Sequence, residues 1–236
     1  MQIAADTEVG ITTEGNTVSW SDISDAVRHV REHLTLRLTT GACATRLLYE
    51  LAGHWCRMPQ SFGGEPLLVD VHAVIDQIGE MECAQNSRAV ATKAASRFDT
   101  GPLEGLWHKH WFQASFMPQN LANEMEKHGE SLIIKRLIDR YGRDGWGSRT
   151  IDKEMVGLLA HASVFGALEH RTGNAGRGGK SRLTGEWVVF AKSEGRNIYL
   201  TLGGHEEPNE AILDRCLPAV REFRELATTK PFTKFK

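Results

Sequence analysis

The stretch GEWVVFAKSEGRNIYLTLGG, residues 185–204, decides the fold class. Two runs rich in β-branched and aromatic residues flank Glu194 and Gly195, a pair suited to a two-residue hairpin turn. With that turn, Lys192 is expected opposite Asn197, Phe190 opposite Tyr199, Val188 opposite Thr201 and Glu186 opposite Gly203. Side chains alternate across a strand, so Trp187, Val189, Ala191, Ile198, Leu200 and Leu202 share one face. That face is wholly apolar and is expected to be core. The other carries Glu186, Lys192, Asn197, Tyr199 and Thr201 and is expected to be wet, with His205 just past the strand end on the same parity.

Outward from the hairpin the pattern turns helical. Helices are expected over 22–36, starting at Ser21 or Ser24, over 42–57, and along LLVDVHAVIDQIGEM, residues 67–81. EGN at 14–16 marks a small N-terminal hairpin, and 84–102 reads as a loop. A helical pattern runs from Leu103 to Lys127, with Pro118 as a kink. SLIIKRLIDRYG, 131–142, is amphipathic with Gly142 as its stop. Another helix is expected at about 151–169, and a last one from Pro208 to Leu226. The fold class is therefore α+β. A soft boundary at RDGWGSR, 143–149, separates a mainly helical region, 1–143, from 150–236, which holds a helix, a Gly-rich basic loop, the hairpin and a C-terminal helix; the two are separate bodies or one domain.

The chain of 236 residues is 41% hydrophobic and 25% charged, and its formal net charge of -2 argues against wholesale coating of nucleic acid. Four cysteines, at 43, 56, 83 and 216, form no CxxC pair, so neither a thiolate zinc site nor a disulfide framework is suggested and a cytoplasmic location is expected. No secretory leader or membrane anchor is visible, and no membrane partner is expected.

The loop before the hairpin, HRTGNAGRGGKSRLTGEW at 170–187, nearly spells a phosphate-binding P-loop. Five residues separate Gly173 from Gly179-Lys180-Ser181, whereas a Walker A loop needs about four there, with a strand before it and a helix after it. Here the expected order is reversed. What remains is a cationic loop: His170, Arg171, Arg177, Lys180 and Arg182 precede the first carboxylate, Glu186. Such a loop suits a phosphate backbone. Glu186 as base and His205 as acid, with Lys192 and Tyr199 beside them, form a candidate set for cleaving RNA without metal. Arg171, Arg177, Lys180, Arg182 and Arg196 are candidates for holding phosphate.

A helix, a basic loop, a hairpin and a terminal histidine in this order resemble the barnase/RelE-like endoribonucleases, a group that includes many bacterial toxins. The resemblance covers about residues 150–226. It implies a twisted antiparallel sheet of at least four strands packed on helices, and metal-independent RNA cleavage. The expected partner is RNA, with an inhibitor or other protein partner and a homodimer as further possibilities, and no cofactor is expected.

Two competing readings come from other residues. In GLWHKHWFQASFMPQN, 105–120, a helix would set His108 and His110 about 200° apart, whereas a strand would point them the same way. The helix is expected, with Trp107 and Trp111 as a packing stripe and His108 and His110 as possible additions to the cleft. A His-dependent metal enzyme is thus the third reading, after a non-catalytic nucleic-acid- or protein-binding module. His54, His72, His161 and His170 could complete a zinc or iron site, although no HxxxH or HExxH spacing is read in support of it. Arg28 and His33 resemble the Arg-x4-His signature of HEPN ribonucleases. Asp70, Asp76, Glu80 and Glu82 are expected on a solvated acidic helix face.

Overall fold

The computed structural model describes residues 4–64, 66–83, 92–116, 137–142, 153 and 186–235. The chain divides into two compact units, one of Met1–Val90, Ala94–Gln113 and Gly185–Lys236, the other of Ala91–Lys93 and Ala114–Thr184. The hairpin therefore belongs to the same unit as the N-terminal helices. In the second unit, residues 137–141 are helical and end at Gly142, whose φ of 78° is the left-handed stop that glycine permits. The basic loop at 170–182, with Arg171, Arg177, Lys180 and Arg182, lies outside the described residues.

The first unit is α+β. A two-stranded hairpin, β1 (Glu8–Ile11) and β2 (Thr17–Ser19), leads into α1 (Trp20–Thr35). The helix begins at Ser19 rather than at Ser21 or Ser24, because Ser19 and Asp22 cap each other: the Asp22 N–H donates to the Ser19 hydroxyl and the Ser19 N–H to the Asp22 carboxylate. Ile23, Ala26, Val30 and Leu34 form its buried stripe. Helix α2 (Thr45–Trp55) has no cap of its own. Glu222 reaches its first turn from 177 residues away and accepts from both the N–H and the hydroxyl of Thr45, each at 2.8 Å. Helix α3 (Val71–Met81) starts at Asp70, whose carboxylate accepts from the N–H groups of His72 and Ala73.

The five-stranded sheet contains β3 (Ala42–Cys43), β4 (Ser96–Arg97), β5 (Trp107–His110), β6 (Trp187–Ser193) and β7 (Arg196–Gly203), in the order β3-β7-β6-β5-β4. β3 runs parallel to β7, and the other neighbours are antiparallel. Glu194 and Gly195 form the turn with φ of 51° and 78°, the doubly positive geometry of a two-residue hairpin. Two expectations fail here. Residues 107–110 form a strand, not a helix, because β6 offers them a ladder on its free edge, with Trp107 opposite Phe190 and His110 opposite Trp187. The pairing of β6 with β7 also slips by one residue past Phe190: Phe190 faces Tyr199, yet Val189 faces Thr201 and Trp187 faces Gly203. The extra residue in β7 is a bulge, so Glu186 is not opposite Gly203.

One face of the sheet is core as expected, except that the bulge sets Leu202 opposite Val188 of the other face. Val189, Ala191, Ile198 and Leu200 pack with Leu103, Leu106 and with Ile212 and Cys216 of α4 (Asn209–Cys216). Ala219 of α5 (Ala219–Glu222), Leu226 and Phe232 complete this layer. Pro208 and Pro218 bracket α4, and the single helix expected over 208–226 is broken into α4, α5 and a 3-10 turn at Arg224–Thr228. The opposite face is not wet. Val188, Phe190, Tyr199 and Thr201 are all buried, with α2 and the end of α3 supplying carboxylates to the polar ones.

Glu82 is one of these, and it is buried rather than part of an acidic surface. Its carboxylate accepts the Tyr199 hydroxyl at 2.7 Å, the Asn197 amide at 3.0 Å, and the backbone N–H groups of Thr40 and Gly41 at 3.1 and 2.8 Å. Burial alone would raise this carboxyl, but these bonds outweigh it and hold it down at about 2 from its usual 4.5. Burial and then the Glu82 carboxylate push the Tyr199 hydroxyl up. A depressed carboxylate contributes stability that is complete above 4.5 and is lost as pH falls toward 2. Glu82→Gln is therefore expected to remove about 2–3 kcal/mol at pH 7 and nearly nothing at pH 2, measured by urea unfolding at both.

His54 sets a second acid response at higher pH. It is buried, its Nδ1 accepts the Val69 N–H at 3.4 Å, and its Nε2 has no hydrogen-bond partner among the described residues. Burial holds its imidazole down at about 4 from its usual 6.5, against a bond with the Met58 backbone. The unfolded chain takes up this proton first, so stability is complete above 6.5 and declines toward pH 4. A fall of about 3 kcal/mol over that window is expected, and it should be absent from His54→Leu in urea titrations at pH 7 and 4.

Candidate active site

At the open end of the hairpin, three strands bring imidazoles together. Because β5 is a strand, His108 and His110 alternate onto the same side, their ring centroids 5.6 Å apart and their planes at 82°. His205, just beyond β7, stacks on His110 with centroids 5.1 Å apart and planes at 22°. Trp187 of β6 completes the group, 5.0 Å from His108 and 4.6 Å from His205. Phe98 closes the other side at 4.6 Å from His108. His110 is buried and His205 is exposed, so the row runs from the interior to solvent.

Glu186 precedes Trp187 and is half-buried. Its carboxylate accepts the backbone N–H of His205 at 2.9 Å, while its own carbonyl accepts from the Trp111 N–H at 3.1 Å. Burial raises the Glu186 carboxyl above its usual 4.5; the N–H and the charge of His205 oppose this, and the Glu206 and Glu207 carboxylates add to it. A carboxyl displaced toward neutrality beside an exposed imidazole has the parts of an acid–base pair.

Two glycines let the neighbouring loop close on this end. A Cβ on Gly204 would lie 2.6 Å from the Phe62 Cβ and 3.0 Å from the Glu186 carboxylate. Gly63 has φ of 90°, and a Cβ there would lie 2.3 Å from the Glu206 carbonyl oxygen. Residues 62–64 thus support the 204–207 segment.

The other proposed site residues are elsewhere. Tyr199 is on the opposite face, bound to Glu82. Lys192 is exposed near the turn, its ammonium 3.9 Å from the centre of the Trp107 ring; at about 3.4 Å per residue it is about 17 Å from Trp187 along the strand. Arg196 is paired with Glu225. The structure therefore brings together Glu186, His205, His108 and His110, and separates Lys192, Tyr199 and Arg196 from them.

Sequence reasoning assigned Trp187 to the core and His110 to a helix face. The alternation of Trp107, His108, Lys109 and His110 was the available signal for a strand, but a stretch of four residues also fits a helix. A second imidazole group surrounds Trp55, with His29, His33 and His72 at 6.1, 5.8 and 5.3 Å. His29 and His33, four residues apart on α1, do have HxxxH spacing, which corrects the expectation that the chain lacks it. Arg28, the other half of the Arg-x4-His pattern, is paired with Asp25 at 2.9 Å. Among the described residues, no group of three or more His, Cys, Asp or Glu side chains is arranged to hold a metal ion, and no helix is long and apolar enough to cross a membrane.

Compared with models of protein families, with curated proteins and with solved structures, the chain matches none.

Proposed function

We propose that the protein cleaves RNA by acid–base chemistry at Glu186 and His205, without a metal cofactor. The observation that carries this reading is the 2.9 Å bond between the Glu186 carboxylate and the His205 backbone, which fixes a burial-raised carboxyl beside an exposed imidazole. In the reaction Glu186 takes the proton of a ribose 2′-hydroxyl as its oxygen attacks phosphorus. His205 gives a proton to the departing 5′-oxygen, and the products are a 2′,3′-cyclic phosphate and a free 5′-hydroxyl. His110, stacked behind His205, orients its ring. Trp187 offers an aromatic surface beside the reacting groups, of the kind on which unpaired bases stack. Of the antiparallel sheet that the likeness to the barnase/RelE-like endoribonucleases, toxins among them, implies within residues 150–226, β6 and β7 are the strands described there, while β4 and β5 come from residues 96–110.

The test is incubation of the purified protein with mixed RNA in EDTA, read on a denaturing gel with end-group analysis. Fragments ending in 2′,3′-cyclic phosphate are expected. Intact RNA that is nevertheless retained by the protein would replace this reading with the binding module, and cleavage that stops in EDTA would replace it with the metal enzyme.

A further inference from the structure

We propose that Arg215, with Glu207 and Glu50, is a positioning device that holds the 203–206 turn, and with it His205, against Glu186; this rests on the function proposed above. Among the described residues, the outer edge of β7 has a strand neighbour at Ile198 and Tyr199, which pair with β3. Further along, at Leu202, a pair of charged side chains takes the neighbour's place. The Leu202 N–H donates to Glu50 at 2.9 Å, and the Leu202 carbonyl accepts from Arg215 Nη2 at 2.9 Å. Glu50, buried on α2, also accepts the Thr201 hydroxyl at 2.7 Å and Arg46 Nε at 2.8 Å, and lies 3.2 Å from Arg215 Nε.

The same guanidinium grips Glu207 with both terminal nitrogens, Nη2 to Oε2 at 2.8 Å and Nη1 to Oε1. One planar group thus clamps residue 202 and residue 207, the two ends of the turn that carries His205. A planar fork with five donors in fixed directions can do this, whereas an ammonium is a single point charge and cannot hold both ends. From inside, the turn is held by the His205 N–H on Glu186 and by the close passage of Gly63 and Gly204. Arg215 acts on this turn through its two ends, the Leu202 carbonyl and the Glu207 carboxylate.

The test uses the full chain with Arg215→Lys, which keeps the charge beside Glu50, and Glu207→Gln, which leaves the Glu50, Arg215 and Leu202 bonds in place and so preserves folding. In nitrogen-15 spectra, the His205 amide is expected to shift in both variants. In Arg215→Lys, a weaker His205 N–H bond removes support from the charged Glu186 carboxylate, so Glu186 titrates at higher pH. Cleavage is expected to fall about tenfold in kcat at unchanged KM, since loss of alignment penalises the reacting geometry more than binding. An unmoved His205 amide and an unmoved Glu186 titration would overturn the positioning role, whether or not the wild type cleaves RNA. Movement of both in a protein whose wild type leaves RNA intact would retain the device and discard the ribonuclease.

Discussion

Glu186→Gln and His205→Ala each lower RNA cleavage in EDTA by about 10²–10⁴-fold, the range removed when one partner of an acid–base pair is lost. The glutamine still presents an oxygen to the His205 N–H, so the turn keeps its place while the base is gone. His205 is exposed, so its truncation gives up ring contacts with His110 and Trp187 at a solvent-facing edge rather than core packing. Melting temperatures of both variants should therefore stay close to that of the wild type, which separates lost chemistry from lost fold. Lys192→Ala is the control. Its ammonium rests on Trp107 at the turn end of the hairpin, and cleavage should change less than about threefold, because a solvated charge that far away is strongly screened. Equal losses for Lys192→Ala and Glu186→Gln would place the chemistry at the other end of the hairpin and refute this assignment.

Glu50→Ala lowers the unfolding free energy by about 3–5 kcal/mol, the loss expected when one member of a buried ion pair is removed. The residue is 3% exposed and its carboxylate serves four donors at once: the Thr201 hydroxyl, the Leu202 N–H, Arg46 and Arg215. Without it, Arg215 stays partly buried with only Glu207 as a counter-charge, and the Leu202 N–H faces no acceptor. Glu50→Gln keeps an oxygen for one donor but no charge for the guanidinium, and an intermediate loss is expected. Urea unfolding with unchanged m-values measures both. A loss below about 1 kcal/mol for the alanine variant would mean that water enters and solvates the arginine, leaving the strand edge independent of this carboxylate. Removing Arg46, which is 44% exposed on its side-chain surface, should cost far less.

Residues 185–204 encode the hairpin, its turn and most of its apolar face. These depend on neighbours in the chain: Glu194 and Gly195 accept positive φ, and the two runs alternate around them. The helices α1 to α3 are legible from their repeating apolar stripes, but their starts are not: α1 is capped by Ser19, residues 42–43 of the expected 42–57 helix form β3, and α3 is capped by Asp70. Only the tertiary structure decided which residues share a site. The strand at 107–110 exists because β6 supplies its hydrogen bonds, and no pattern within four residues encodes an external partner. The bulge at β7 shifts the pairing by one residue and sets Leu202 opposite Val188 instead of Trp187, a displacement that alternation within the two runs does not reveal. Tyr199 and Thr201 read as wet because the sequence shows polar atoms but not the carboxylates of Glu82 and Glu50, which arrive from more than a hundred residues away. Burial of a polar side chain is decided by such partners, and partners distant in the chain are joined only by the fold.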